Sequence, residues 1–118
     1  MTDGLGAEIK RRREKLRAED RRFSQRQVAL RIGIEPSYLS KIERGEQVYL
    51  SEEKVVALAE DLQMDKDVLL ALSGKVSSDL QEVIRRRPDL FAKLIREMKD
   101  LPDHAVLRIV REVRDGNW

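Results

Sequence analysis

Residues 24–45 read SQRQVALRIGIEPSYLSKIERG, and this stretch decides the fold. Ser24 and Gln27 have the spacing of a capping box, in which the serine oxygen caps the helix start and the glutamine reaches back. Gly33 supplies the left-handed backbone that ends a helix tightly. Pro36 suits the first turn of a following helix, where its missing N–H costs nothing. The stretch therefore predicts two short helices joined by a tight turn.

The side chains of this stretch separate into an inner and an outer set. The inner set is apolar and fills the space between the two helices: Val28, Ala29, Ile32, Ile34, Leu39 and Ile42. The outer set lies on the second helix and is able to hydrogen-bond: Ser37, Tyr38, Lys41 and Arg44. Because an α-helix fits the major groove of B-DNA, which is about 12 Å wide, the pattern favours a helix that reads base edges.

Sequence on both sides of this stretch completes a small helical bundle over residues 1–74. Serine and acidic residues at Ser51 and Asp65 predict the starts of a fourth and a fifth helix. The predicted buried positions outside the central stretch recur at helical spacing: Leu5, Ile9 and Leu16 in the first helix, on a thin seam that also includes Arg12 and Arg13; Val55, Val56, Leu58, Ala59 and Leu62 in the fourth; and Val68, Leu69, Leu70 and Leu72 in the fifth.

Residues 75–118 predict a second region of three amphipathic helices, which start at Ser78, Pro88 and Pro102. Two of these helices carry broad apolar faces that a domain with its own core does not need. We expect the region to form a homodimer, and the predicted interface residues are Leu90, Phe91, Leu94, Ile95, Val106, Ile109, Val110 and Val113. The alternative is a larger monomer, in which these helices fold back onto the fourth and fifth.

The charge distribution favours a polyanionic partner for the N-terminal half. Residues 1–50 contain 12 Lys or Arg against 8 Asp or Glu, although the net charge of the chain is only +2. The alternative is a solvated helix face. The chain has no cysteine and one histidine, so we expect no metal site, no cofactor and no catalytic residue. No apolar run reaches membrane-spanning length and no signal peptide is visible, so we expect a cytoplasmic protein.

The pattern SQ…VA…GI…SYLSKIERG resembles the helix-turn-helix of the phage repressor and Cro type, called the XRE family. The resemblance implies an all-α fold with a five-helix, repressor-like DNA-binding domain over residues 1–74, followed by a helical extension. It also implies a sequence-specific regulator of transcription, most simply a repressor, that binds double-stranded DNA. The contacts it implies are phosphate for Gln25, Arg44 and Gln47, and base edges for Glu35, Ser37 and Lys41. Arg13 would pair with Glu43 and join the first helix to the recognition helix.

Several features leave alternatives open. Glu35 is repelled by phosphates, so it either accepts from a cytosine amino group or only caps the helix. Tyr38 either packs inward or lies on a sugar-phosphate. The stretch between Leu16 and Ser24 is longer than usual for the family, which either extends the first helix or adds a basic loop. Arg11, Arg12, Arg21 and Arg22 are expected to form a solvated face, and the alternative for each is a phosphate contact. An antitoxin-type autorepressor with a cognate protein partner, or a protein-interaction module that has kept the fold, are the other functions considered.

Overall fold

The computed structural model describes residues 4–116, and every regular element in this range is helical. The elements are α1 (Gly4–Arg17), a 3₁₀ helix (Arg21–Phe23), α2 (Gln25–Ile32), α3 (Pro36–Glu43), α4 (Glu52–Asp61), α5 (Lys66–Leu72), α6 (Ser78–Arg86), α7 (Pro88–Met98) and α8 (Asp103–Asp115). The predicted all-α class is confirmed for this range. The predicted DNA-binding domain (1–74) and the predicted helical extension (75–118) also include positions 1–3 and 117–118, which lie outside the described residues.

The described chain divides into two compact units, with the boundary between Ser77 and Ser78. The first unit contains all the buried residues. In it, α4 packs on α5 and α2, while α1 and α2 both pack on α3. Its core is apolar, and its fully or almost fully buried members are Ile9, Val28, Ala29, Ile32, Leu39, Ile42, Leu50, Val55, Leu58, Ala59, Leu62, Leu69 and Leu70.

Local signals in the sequence set the helix ends as predicted. The Ser24 hydroxyl accepts from the Gln27 amide at 3.2 Å, and the backbone of Gly33 is left-handed with φ of 79°. The other half of the predicted capping box is wrong, because the Ser24 amide donates to the Arg21 carbonyl and not to the Gln27 side chain. The Ser51 hydroxyl caps α4. The carboxylate of Asp65 accepts from two amides at the start of α5. Each cap satisfies a backbone donor that a helix terminus leaves without a partner.

Three side chains, those of Val68, Leu72 and Arg12, depart from the predicted burial. Val68 and Leu72 were expected in the core but are 54% and 41% exposed, because α5 has only seven residues and buries Leu69 and Leu70 alone. Leu50, in the loop between α3 and α4, is also buried in the core, a position whose burial we did not predict. Arg12 is not a solvated arginine: its Nε donates to the Leu62 carbonyl at 2.8 Å and its Nη2 to the Gln63 carbonyl at 3.0 Å.

A close approach of two helices explains a glycine in α1. Gly6 is buried, and a Cβ built at this position would lie 2.2 Å from the backbone oxygen of Ile42. Any side chain here would therefore separate α1 from α3. Helical periodicity does not reveal such a position, and we did not predict it.

The second unit has a different character, because none of its residues from 78 to 116 is buried. The predicted interface residues lie on α7 and α8, and all of them are half-buried or exposed. Leu90 and Val113 are the most open, at 63% and 61% exposure. The apolar faces of these helices are therefore accessible on the single chain.

Candidate nucleic-acid interface

Helices α2 and α3 are joined by a turn that fixes the angle between them. The Gly33 amide donates back into α2, and the Ile34 amide donates to the Ala29 carbonyl at 3.0 Å. Pro36 then starts α3 at its first turn. Hydrogen bonds of this kind around a left-handed glycine are the usual way to end a helix sharply, and here they position the start of α3.

An ion pair buried below the surface holds α3 against α1. Arg13 Nε donates to Glu43 Oε2 at 2.6 Å, and Arg13 Nη2 donates to Glu43 Oε1 at 2.9 Å. The two side chains are only 5% and 2% exposed. The hydrogen bond from Arg13 to Glu43 outweighs desolvation and raises the pKa of Arg13 above its ordinary value. The predicted Arg13–Glu43 pair is confirmed.

Further hydrogen bonds complete this network. Arg13 Nη1 donates to the Phe23 carbonyl at 3.1 Å, and Gln25 Nε2 donates to Glu43 Oε1 at 3.0 Å. Among the described residues, no buried side-chain nitrogen or oxygen lacks a hydrogen-bond partner. The network therefore joins α1, the 3₁₀ helix, α2 and α3 with its polar groups satisfied, a condition that buried charges need to be stable.

Contacts on the other side of α2 tie it to α4. Arg31 Nε pairs with Asp61 Oδ1 at 2.7 Å, and the guanidinium lies 5.0 Å from the Phe23 ring centre. Lys54 Nζ donates to the Ile32 carbonyl at 2.9 Å, at the C-terminal end of α2. A cation there interacts favourably with the negative end of the helix dipole. The α2–α3 pair is thus held by α1 on one side and by α4 on the other.

Three of the predicted site residues are exposed to solvent on the outward face of α3 and at its start. Glu35, Ser37 and Lys41 are all exposed. Glu35 occupies the N-cap position of α3, but its side chain makes no capping hydrogen bond. Of the two predicted roles for Glu35, capping is therefore wrong, and contact with a base stays a prediction.

The remaining predicted residues are partly engaged inside the protein. The Tyr38 hydroxyl donates to the Tyr49 carbonyl, which favours the inward of its two predicted roles. Arg44 pairs with Glu46 at 2.8 Å and donates to the Ser40 hydroxyl at 2.5 Å. Gln25 is bound to Glu43, as described above, and Gln47 is exposed in the loop after α3. We did not predict the Glu46 pairing, although its position two residues after Arg44 was a local signal for it.

A smaller ion pair lies at the 3₁₀ helix, in the stretch between Leu16 and Ser24. The Asp20 carboxylate accepts from the Arg22 guanidinium and from the Arg22 amide. The hydrogen bonds from Arg22 lower the pKa of Asp20 to about 2. Arg22 is therefore exposed but paired, and so is Arg11, another member of the predicted solvated set, which pairs with Glu8.

Across residues 4–116, no group of three or more His, Cys, Asp or Glu side chains is arranged to hold a metal ion. In the same range we find no helix with the length and apolarity that a membrane crossing requires.

Comparison with known proteins identifies the first unit. The family model described as "Helix-turn-helix domain" matches residues 4–72, which is more than half of the chain. The chain belongs to this helix-turn-helix family. Neither the curated proteins nor the solved structures gave a match. The matched range contains α1 to α5, and the helix-turn-helix domain indicates a DNA-binding regulator.

Proposed function

We propose that this chain is a sequence-specific, double-stranded DNA-binding repressor of transcription, of the phage repressor and Cro (XRE) type. The observation that carries the proposal is the outward face of α3. Ser37 and Lys41 are exposed on a helix whose inner side is fixed by the Arg13–Glu43 pair. A rigid helix with free hydrogen-bonding side chains is what reading of the major groove requires.

Six of the seven predicted DNA-binding residues divide into two groups under this proposal. Glu35, Ser37 and Lys41 face base edges, and phosphate contacts come from Gln25, Arg44 and Gln47. Tyr38 takes the inward of its two predicted roles, because its hydroxyl donates to the Tyr49 carbonyl and its ring packs against the core. The internal hydrogen bonds of Gln25 and Arg44 are compatible with this role, because an amide and a guanidinium each have further donors. Repression follows most simply from a bound protein that occupies the promoter.

The test of sequence reading is selection of bound duplexes from a random pool, followed by binding measurements. Each base contact is worth about 1–3 kcal/mol of discrimination, or about 5- to 150-fold in Kd. We therefore expect Ser37→Ala and Lys41→Ala to lose affinity for the selected operator and to keep it for random duplexes. Lys66→Ala on α5 is the matched control for Lys41→Ala. It should change neither the affinity for the operator nor the affinity for random duplexes. Equal losses on operator and random DNA would remove Ser37 and Lys41 from the base-contact group.

We further propose that residues 75–118 bring two copies of the chain together. A region of about 40 residues rarely makes a stable core alone, and none of residues 78–116 is buried in the single chain. A second copy with the same apolar faces on α7 and α8 would cover them. Two recognition helices on half-sites about 34–36 Å apart would then read a two-fold symmetric operator.

The oligomeric state is tested on the full chain by light scattering. We expect roughly twice the 13.7 kDa chain mass at tens of micromolar. Ile95→Glu, on the apolar face of α7, should shift the protein towards the monomer, whereas Lys93→Glu on the same helix should leave the dimer intact. A monomeric wild-type protein, or a dimer that Ile95→Glu does not weaken, would contradict this interface.

A second candidate function is supported by the acidic groups around α3. Glu35 is exposed at its start, and Glu46 partly neutralises Arg44 just after its end. Both lower the attraction for phosphates and favour a protein-interaction module that has kept the fold and binds a protein partner. An antitoxin-type autorepressor, which binds both DNA and a protein partner, belongs with the DNA-binding proposal. A salt-dependent mobility shift of random duplex DNA on addition of the protein separates a DNA-binding protein from a module that has lost DNA binding.

A further inference from the structure

A cleft of about 390 Å³ opens between α1, α2 and α3, and its lining is rich in cations. Lys10 and Arg17 contribute from α1, and Arg44 contributes from the end of α3. Gln25 and Ser40 add polar groups from α2 and α3. We call this feature the basic cleft.

The floor of the basic cleft is electrically balanced. Arg13 and Glu43 both line it, and they neutralise each other through two hydrogen bonds. The remaining acidic residue of the lining is Glu14, which is 57% exposed and whose Oε2 lies 4.0 Å from Arg13 Nη2. The positive charge of the cleft therefore comes from its rim.

Two cations of the rim are available to a ligand. Lys10 and Arg17 are exposed, and within residues 4–116 neither forms an ion pair or a side-chain hydrogen bond. They are seven residues apart, so they lie on one face of α1 about 10 Å apart along its axis. Arg44, by contrast, already shares its charge with Glu46.

We propose that the basic cleft holds one backbone phosphate of the bound DNA, contacted by Lys10 and Arg17. The proposal rests on the DNA-binding function proposed above and adds α1 to the DNA-contacting surface. The cleft lies beside the recognition helix and shares Gln25 and Arg44 with the predicted phosphate contacts. A phosphate seated there would fix the protein's register on the duplex, because phosphate contacts position a protein and base contacts specify the sequence.

The test compares the salt dependence of binding to random duplex DNA. Loss of one neutralised phosphate lowers the slope of log K against log salt by about 0.9. We expect this change for the double variant Lys10→Gln/Arg17→Gln, and a smaller one for each single variant. Lys15→Gln is the matched control, since Lys15 is an exposed cation of the same helix that does not line the cleft. A double variant with the slope of the Lys15→Gln control would overturn the proposal.

Ethylation interference on the selected operator gives an independent readout. In the double variant, interference should disappear at one phosphate in each half-site and persist at the others. Interference that persists at every phosphate would also overturn the proposal. Because both side chains are exposed and unpaired, the variants should have the melting temperature of the wild type. An unchanged melting temperature shows that their fold is intact.

The two proposals fail in distinguishable ways. If the wild-type protein binds no duplex at any salt concentration, the DNA-binding function is wrong and the cleft proposal falls with it. If the wild type binds with a normal salt slope and the double variant shares that slope, only the assignment of the basic cleft is wrong.

Discussion

Replacement of Glu43 by glutamine is expected to destabilise the first unit by about 3–5 kcal/mol, the usual cost of removing one partner from a buried ion pair. The glutamic acid side chain is 2% exposed and accepts three hydrogen bonds, two from Arg13 and one from Gln25. In Glu43→Gln, one of the accepting oxygens becomes an NH₂ donor. The Arg13 guanidinium then stays buried, at 5% side-chain exposure, without a counter-charge.

The size of this loss makes it easy to measure. Small domains have unfolding free energies of about 5–15 kcal/mol, so the change removes a large part of the total. For a domain of 60–100 residues, each kcal/mol shifts the melting temperature by about 4–8 °C. The expected fall in Tm is therefore at least about 12 °C.

The assay is urea unfolding followed by circular dichroism, with Glu14→Gln as the matched control. Glu14 faces the same arginine at 4.0 Å but is 57% exposed, so its loss should cost less than about 1 kcal/mol. The double variant Arg13→Met/Glu43→Leu should recover most of the stability, because it removes both charges. A Glu43→Gln protein that unfolds at the urea concentration of the Glu14→Gln control would refute the reasoning.

Two further predictions concern the first unit. Gly6→Ala should cost about 1–3 kcal/mol in urea unfolding despite alanine's higher helix propensity, because its Cβ would lie 2.2 Å from the Ile42 carbonyl oxygen. Gly4→Ala, whose Cβ would meet only a side-chain carbon at 3.3 Å, should be neutral or stabilising, and equal losses in both variants would contradict this contact. The Asp20 carboxyl should titrate at about 2 by NMR and move towards 3.8 in Arg22→Gln, so that the stabilising effect of this pair, complete above pH 3.8, disappears as pH falls through 2. An unchanged Asp20 titration in Arg22→Gln would show that the pair does not form in solution.

The sequence predicted those parts of the fold whose causes are local. Ser24, Gly33 and Pro36 act on the backbone within a few residues of themselves, so their effects on helix ends were readable without a structure. The inward positions of α2 and α3 followed from helical spacing in the same way. Burial on α5 was harder to predict. A seven-residue helix has too few turns for periodicity to distinguish the exposed Val68 from the buried Leu69.

Contacts between residues that are far apart in the sequence could not be predicted from local signals. Arg12 and the carbonyl of Leu62 are 50 residues apart, and nothing in the spacing of either segment indicates that they meet. The same holds for Gly6 and the backbone of Ile42. The Arg13–Glu43 pair was available only through the family resemblance, since charge and spacing alone do not select Glu43 from the other acidic residues.

The adjacent residues Arg12 and Arg13 hold α1 in the position that the proposed phosphate contact requires. Arg12 donates to carbonyls just after the end of α4, while Arg13 is bound to α3 through Glu43. Because consecutive helical residues point about 100° apart, one short segment of α1 is held from two directions. Lys10 and Arg17 extend from that fixed segment, so their positions relative to the recognition helix are also set. A change at Glu43 should therefore weaken phosphate and base contacts together, whereas changes at Lys10 and Arg17 should weaken phosphate contacts alone.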